Sequence, residues 1–218
     1  MSSALFISIG ALEMFAVLTA ALRLFRFKVS WYLKDIVVMS LVLALSSYLM
    51  RIVLEVPWLD MPLAMCAVIV FMRFAIKVKP QYAVILTLSG YAFYIAVQSS
   101  VYLVFKIMLE FDGVMLMESH GVYLYLLQIT TAGVTMLISY FLHVIGLGFT
   151  FIIHPPHSFI TKFSKKENTV FYATIATFLI LTASLAFLLS GYGWIAYITV
   201  AVNFSFLYYL LHRRSEQE

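Results

Sequence analysis

Five polar side chains interrupt otherwise apolar segments of the sequence, and their types are those that bind ligands. Glu13, Arg51, Gln98, Gln128 and Asn203 lie within segments dominated by Leu, Ile, Val, Phe, Ala and Tyr. A carboxylate, a guanidinium and three amides can together neutralise a charge and both donate and accept hydrogen bonds. Because such groups are costly in lipid, they face other helices or a cavity. The residue types therefore predict a ligand-binding site.

The sequence contains no catalytic, nucleotide-binding or metal-binding motif that we can identify. HExxH, GxSxG, paired aspartates and a Walker sequence are all missing. The lone cysteine, Cys66, has no histidine on a neighbouring predicted turn, and we interpret it as a small core residue. The "HPPH" sequence at 154–157 has no nearby carboxylate or thiol, so its prolines are interpreted as helix terminators. We expect no enzyme activity, no metal and no cofactor.

The composition indicates that most of the chain contacts lipid. Of the 218 residues, 64% are hydrophobic and only 11% are charged, and the mean hydropathy is +1.01. Soluble domains carry roughly 25% charged residues. The net charge of +4 comes from small basic groups between apolar runs, a spacing that fits membrane topology better than a nucleic-acid surface. We therefore expect a multi-pass protein of the cell (cytoplasmic) membrane, with the lipid bilayer as partner and no nucleic acid.

Seven apolar segments have the length of a membrane-crossing helix, which is about 20 residues. They predict an all-α, seven-transmembrane helix bundle formed by a single polytopic membrane domain over residues 1–218. The predicted spans are about 4–25, 35–55, 61–77, 81–104, 121–146, 169–189 and 194–212.

The charged residues predict the orientation of this bundle. With the N-terminus outside, all of the 14 Lys and Arg residues except Arg51 and Lys106 fall in inner segments. Basic residues near span ends favour the cytoplasmic side. The sequence therefore predicts an outside N-terminus and a cytoplasmic C-terminus. Five acidic residues fall on the predicted outer side: Glu55, Asp60, Glu110, Asp112 and Glu118.

Two segments depart from simple helical hairpins. The Met-rich outer segment 106–120, "KIMLEFDGVMLMESH", predicts either a short helix on the membrane surface or an outward extension of the fourth helix. A fifth helix continued from 121 to 153 would be longer than the bilayer is thick. We expect it to break at Gly146 or Gly148 and to continue as an interfacial stretch.

The predicted spans place the five polar side chains at the middle and outer level of the bundle. From the helical rise, Glu13 lies roughly 15 Å below the outer boundary, and Gln128 and Asn203 lie roughly 13 Å below it. Arg51 is shallower, and we expect it either to reach Glu13 or to extend outward to Glu55, its i+4 neighbour. The amides alternatively form only hydrogen bonds between helices. A cavity that opens outward is the arrangement that would bring all five polar side chains into one binding site.

Two sequences in the first two predicted helices, together with the seven-helix layout, resemble a known receptor class. They are "ALEMFAVLTAALRLFRFKVSWYL" and "LSSYLMR". They resemble the membrane sensor region of bacterial peptide-pheromone receptor histidine kinases of the accessory-gene-regulator type, and of related sporulation-type sensor kinases. The resemblance covers most of the chain and rests on architecture. It implies detection of an extracellular or membrane-dissolved signal and formation of a homodimer.

The sequence departs from this class at its C-terminal end. After Arg214 only "SEQE" follows, without the histidine-bearing dimerisation helix and the ATP-binding domain of those kinases. We expect a stand-alone relative, a partner of a separate cytoplasmic kinase or regulator, or a sensor fragment. The first expectation is thus a signal-sensing or regulatory membrane module without its own catalytic domain. The alternatives are a small substrate-binding or accessory subunit of a membrane transporter with a separate ATPase, and a structural factor whose polar residues only join helices.

Overall fold

A computed structural model describes residues 3–109, 122–152, 165–189 and 193–216, which form long helices and short connections. A 3-10 turn at Val29–Trp31 precedes the second helix, and a π-helical turn at Leu49–Val53 follows it. The helices are α1 (Ser3–Leu24), α2 (Leu33–Tyr48), α3 (Pro57–Phe74), α4 (Pro80–Leu109), α5 (Val122–Ile145), α6 (Lys165–Leu189) and α7 (Gly193–Ser215). The described part of the chain contains no β-strand.

Each of the seven predicted spans corresponds to a helix, and this confirms the all-α class. In the described residues, five helices are long and apolar enough to cross a membrane: Ser3–Leu24, Leu33–Val53, Pro57–Phe74, Pro80–Met108 and Val122–Ile145. Within α6, the apolar segment Asn168–Ser184 is shorter than these five. The protein is therefore helical and carries several apolar helices suited to a membrane. Seven crossings and the orientation remain predictions.

Helix α4 is the central helix of the bundle. It packs against α1, α3, α5, α6 and α7, and 78% of its most apolar window is buried, against 39% or less for the other four candidate spans. Small residues allow this close packing. A Cβ atom added at Gly90 of α4 would lie only 2.5 Å from the Cβ of Ala21 in α1. Gly10 of α1 similarly faces Ala44 of α2.

Helix α5 ends at a glycine, as the sequence predicts. The Gly146 N–H donates to the His143 carbonyl at 3.2 Å, and the Leu147 N–H donates to the Leu142 carbonyl at 2.9 Å. This pair of bonds is a Schellman motif, which needs a left-handed residue after the helix. Gly146 supplies it with a φ of 73°. The predicted break is thereby confirmed at Gly146.

Residues 146–152, which we call the strap, fold back beneath the C-terminal ends of α1 and α7. The Phe149 N–H donates to the Leu24 carbonyl at 2.7 Å, which satisfies a carbonyl at the end of α1. The Thr150 N–H donates to Ser215 Oγ at 2.9 Å. The strap therefore joins the ends of α1, α5 and α7 by hydrogen bonds.

Aromatic rings fill the space around the strap. The Phe149 ring packs on Phe25 and Tyr208, with centroid distances of 5.4 and 5.6 Å. The Phe151 ring packs on Phe25 and on Tyr82 of α4, with centroid distances of 5.7 and 6.5 Å. Such tilted and edge-on pairs are the favourable geometries for aromatic rings. This end of the bundle is thus closely packed.

Two expectations about individual segments have clear outcomes. Cys66 was expected in the core, but its side chain is exposed. The buried face of α3 holds residues 60, 64, 68 and 72, and a residue two positions away lies on the opposite face of a helix. Helix α4 extends outward to Leu109, in agreement with one of the two alternatives for the Met-rich segment. Residues 110–121 of that region and the "HPPH" sequence lie outside the described residues.

Candidate functional site

A cavity of about 260 Å³ lies between helices α1 to α5. Four of the five predicted site residues line it, namely Glu13, Arg51, Gln98 and Gln128. The lining comes from the N-terminal halves of α1, α3 and α5 and from the C-terminal parts of α2 and α4. Consecutive helices therefore alternate in direction here, and the cavity lies at the end of the bundle opposite the strap.

Glu13 is joined across the cavity to α5. The Gln128 side-chain amide donates to one oxygen of the Glu13 carboxyl group, Oε2, at 3.0 Å. The side chain of Glu13 is partly exposed, and because Glu13 lines the cavity, that exposed part faces the cavity. Among the described residues, no nitrogen of Lys, Arg or His lies within 4.0 Å of the carboxyl group. The carboxyl group thus has an amide partner and no salt bridge there.

Two tyrosines of α4 form the wall beside Glu13. Tyr94 is only 3% exposed and lies next to the Glu13 carboxyl group, but its hydroxyl forms no hydrogen bond of standard geometry with any described residue. The Tyr91 hydroxyl contacts the sulfur of Met14 at 3.7 Å. A buried hydroxyl without a partner is unfavourable unless a ligand or water completes its bonding. Tyr94 therefore places a buried hydroxyl group in the cavity wall, beside the Glu13 carboxyl group.

Arg51 pairs with a residue that the sequence analysis placed outside the site. Its Nε atom lies 2.5 Å from Oδ2 of Asp60, and Ser47 Oγ donates to the same oxygen at 2.8 Å. Asp60 is only 5% exposed. The expected partners of Arg51 were Glu13 or Glu55, and both predictions were wrong.

The geometry of the α2–α3 connection explains this pairing. Arg51 lies in the π-helical turn that ends α2, and only residues 54–56 separate that turn from α3. A π-helical turn adds a residue to the helical repeat and so changes the direction of the side chains it contains. Pro57 begins α3, which places Asp60 in its first turn beside the end of α2. The short connection therefore brings Asp60, rather than Glu13 or Glu55, next to Arg51.

Asn203 does not join the other predicted site residues. It lies in α7, which packs mainly on α6 and α4, and its side-chain amide donates to the Thr199 carbonyl of the same helix at 2.8 Å. The helical rise predicts the height of a residue in the bundle, but not the neighbours that its helix has. Asn203 thus has a position along its helix that matches those of Glu13 and Gln128, but it lies away from the cavity.

Sequence analysis missed Ser47, Asp60, Tyr91 and Tyr94. A signal for the tyrosines was present, because positions 91, 94, 95 and 98 share one face of a helix at i, i+3, i+4 and i+7. Asp60 also had a signal, since Pro57 is suited to the first position of a helix and so places Asp60 inside that helix. Both signals required the polar residue to be considered together with its helical neighbours.

The arrangement is suited to binding and not to metal chemistry. Met14, Val17, Met61 and Ile95 supply apolar surface next to the carboxylates, the guanidinium and the amides. No group of three His, Cys, Asp or Glu side chains able to hold a metal occurs in the part of the chain that the structure describes. Cavities with mostly apolar walls and a few polar groups are typical small-ligand sites.

No protein-family model, curated protein or solved structure matches this chain. The resemblance to sensor kinases remains a prediction, and the function has to be inferred from the geometry of the cavity and of the strap.

Proposed function

We propose that the protein is a signal-sensing or regulatory module of the cell membrane that binds a small ligand in the α1–α5 cavity. In this proposal the occupancy of the cavity is passed to a cytoplasmic kinase or regulator. The observation that carries the proposal is the cavity, which gathers polar side chains from five apolar helices around empty volume. A purely structural lock would pair these groups and leave no space between them, whereas here the Glu13–Gln128 and Arg51–Asp60 pairs line a cavity of about 260 Å³.

The distribution of basic residues supports a cavity that opens outward and a strap on the cytoplasmic side. The cavity end of the described helices holds Arg51 and Lys106. The strap end is much more basic, and basic residues favour the cytoplasmic side. We infer seven spans with the N-terminus outside. The basic residues of the strap end are Arg23, Arg26, Lys28, Lys34, Arg73, Lys77, Lys79, Arg213 and Arg214.

Helix α1 supplies a physical connection between the two ends. It carries Glu13 in the cavity and ends at Leu24, whose carbonyl accepts the hydrogen bond from Phe149 of the strap. Thr150 of the strap in turn bonds Ser215 at the end of α7. A ligand that shifts α1 would therefore move the strap and the C-terminal end of α7. Coupling of this kind requires that the ligand binds one arrangement of the helices more tightly than another.

The packing at the strap end favours sensing over transport. Phe25, Phe149 and Phe151 are 1 to 3% exposed and contact one another beneath the bundle. A transported substrate would have to pass this aromatic layer, whereas a signal needs only a movement of the helices. The transporter-subunit alternative would require the strap to open.

Affinity purification of the tagged full chain from its native membranes tests the proposal. We expect a kinase or a regulator to co-purify, and we expect the reconstituted protein to move no substrate across vesicles. Co-purification of a transport ATPase together with substrate uptake would reject sensing in favour of transport.

Cysteine labelling tests the proposed orientation. In a Cys66→Ser background, an impermeant maleimide is expected to label Ser3→Cys in intact cells and Glu216→Cys only after permeabilisation. Each single-cysteine variant serves as the control for the other. Labelling of both positions from the same side would contradict an odd number of spans.

A further inference from the structure

The formal charges that line the cavity do not balance. The described lining residues include two carboxyl groups, Glu13 and Asp60, and one cationic group, Arg51. Arg51 and Asp60 neutralise each other in a salt bridge that Ser47 also supports. Among the described residues the partners of Glu13 are neutral: the Gln128 amide donates to Oε2, and the Tyr94 hydroxyl lies beside the carboxyl group. The carboxyl group has no salt bridge with a described residue, and a positively charged donor that enters the cavity would supply one.

The wall next to Glu13 is suited to an organic group. Tyr91 and Tyr94 lie on the same face of α4 as Gln98, and Met14 and Ile95 add apolar surface. Aromatic rings attract organic cations. The Tyr94 hydroxyl is buried and lies beside Glu13, so it offers a second polar contact at the same point.

We propose that the cavity binds a small organic cation, a primary or secondary ammonium with an apolar body, whose N–H donates to Glu13 and whose body lies against Tyr91, Tyr94 and Ile95. This inference rests on the proposed function and names its ligand class. Since a protein cavity of about 150 Å³ can hold benzene, the cavity of about 260 Å³ has room for a compact ligand with a single ring. The ammonium restores the charge balance that the lining lacks.

Other ligand classes fit the same geometry less well. An anionic ligand would be placed between Glu13 and Asp60, with Arg51 already paired. A divalent metal needs three or more protein ligands, and the described residues contain no such group. A neutral ligand could use the amides and Tyr94, but it would leave Glu13 without an opposite charge. A neutral ligand would therefore lack the charge-assisted hydrogen bond that an ammonium forms with a carboxylate, which is roughly twice as strong as a neutral one.

A series of matched compounds tests the ligand class on the unaltered protein. The full chain is placed in nanodiscs of uncharged phosphatidylcholine, and saturable binding is measured by calorimetry and by thermal unfolding. The probes are 2-phenylethylamine as the cation, 2-phenylethanol as the neutral analogue and 3-phenylpropionate as the anion. We expect the amine to bind at least about tenfold more tightly than the alcohol, since a charge-assisted hydrogen bond is lost in the alcohol. The anion is expected not to bind.

Two matched variants locate the effect. Glu13→Gln keeps the shape of the side chain and its bond with Gln128, and it is expected to weaken amine binding at least about tenfold. Glu55→Gln removes the same formal charge from an exposed position at the same end of the bundle, and it is expected to leave binding unchanged. Partitioning of the amine into the lipid is the same for both variants.

Each result has a defined meaning. Absence of saturable amine binding, equal binding of the alcohol, or unchanged binding by Glu13→Gln would each overturn the ligand class. If Glu13→Gln does not fold, the comparison of the three probes on the unaltered protein decides the matter. Rejection of the amine together with co-purification of a regulator would leave the sensing proposal intact. Specific amine binding together with a transport ATPase would leave the ligand class and reject sensing.

Discussion

The cavity and the strap are the two ends of one helix bundle, yet they are built differently. Around the cavity, charged and polar side chains of α1 to α5 surround empty volume. Around the strap, Phe25, Phe149 and Phe151 are almost fully buried and pack ring against ring. Close packing stabilises a fold, whereas cavities and incompletely paired polar groups reduce stability. The comparison indicates that the strap end is the more closely packed end of the bundle, and it supports the proposal that the cavity end binds a ligand.

Helix α1 connects the cavity end to the strap end, because it contributes residues to both. Its first half carries Glu13, and its last turn is buried around Leu22 and Leu24. Binding sites commonly reduce stability at one place and depend on a well-packed scaffold elsewhere. If this division is correct, substitutions at the strap should reduce stability more than substitutions at the cavity.

The largest loss of stability is expected from Gly148→Val in the strap. Gly148 has a φ of 153°, and an added Cβ would lie 2.9 Å from the Leu24 carbonyl oxygen. Backbone strain and overpacking each contribute about 1–3 kcal/mol, so we expect a loss of about 2–5 kcal/mol. The free energy of unfolding is measured by SDS titration in mixed micelles.

Gly133→Ala is the matched control for this change. Gly133 lies within α5, and nothing lies within 4 Å of an added Cβ. The substitution is expected to be neutral or to stabilise the helix by up to about 1 kcal/mol. A Gly148→Val protein as stable as this control would contradict the role of the strap.

An intermediate effect is expected from Arg51→Met at the cavity. The change leaves Asp60 buried, with Ser47 as its one side-chain hydrogen-bond donor among the described residues. We expect a loss of about 1–3 kcal/mol, lower than for a fully buried pair because the Arg51 side chain is 43% exposed. Adding Asp60→Asn should restore most of the stability, and SDS titration of the single and double variants measures this coupling. Additive losses would show that the pair does not interact.

A smaller effect is expected from Ser215→Ala, which removes the hydrogen-bond partner of Thr150 at the end of α7. Both residues are near the surface, so the loss should be about 0.5–1.5 kcal/mol in the same titration. Ser205→Ala, at an exposed position of the same helix, serves as the control and should change little. Equal effects of the two changes would remove α7 from the proposed connection.

The smallest effect on stability is expected from Glu13→Gln. The amide oxygen still accepts from Gln128, and the remaining charges in the cavity, those of Arg51 and Asp60, are paired with each other, so the free energy of unfolding should stay within about 1 kcal/mol of the unaltered value. Ligand binding is expected to fall while stability is kept. A large loss of stability would show instead that the carboxylate is structural, and the contrast between the two ends would fail.

Sequence analysis located the helices and much of the candidate site. A break at Gly146 or Gly148 followed from the length of the apolar segment and from the glycines themselves, which are local properties, and the structure places it at Gly146. Glu13, Arg51, Gln98 and Gln128 were grouped by their height along predicted helices, and all four line the cavity. This worked because the helical rise is constant.

The errors share one physical origin. Asn203 has a suitable height but lies on α7, which packs on α4 and α6. Cys66 lies in an apolar helix but on its exposed side. Arg51 has acidic neighbours in the sequence but pairs with Asp60 across the α2–α3 connection. Each error concerns the direction in which a side chain points around its helix, which depends on the neighbouring helices.

The sequence by itself determined that the chain is helical and apolar and that its fifth helix breaks at Gly146 or Gly148, because hydropathy, length and glycine conformation are properties of short segments. Only the tertiary structure decided which polar side chains share a cavity and which ends of the helices the strap joins. Those outcomes depend on close contacts such as Gly90 against Ala21, which fix the position and rotation of each helix. Contacts of this kind join residues far apart in the chain, and short-range patterns do not specify them.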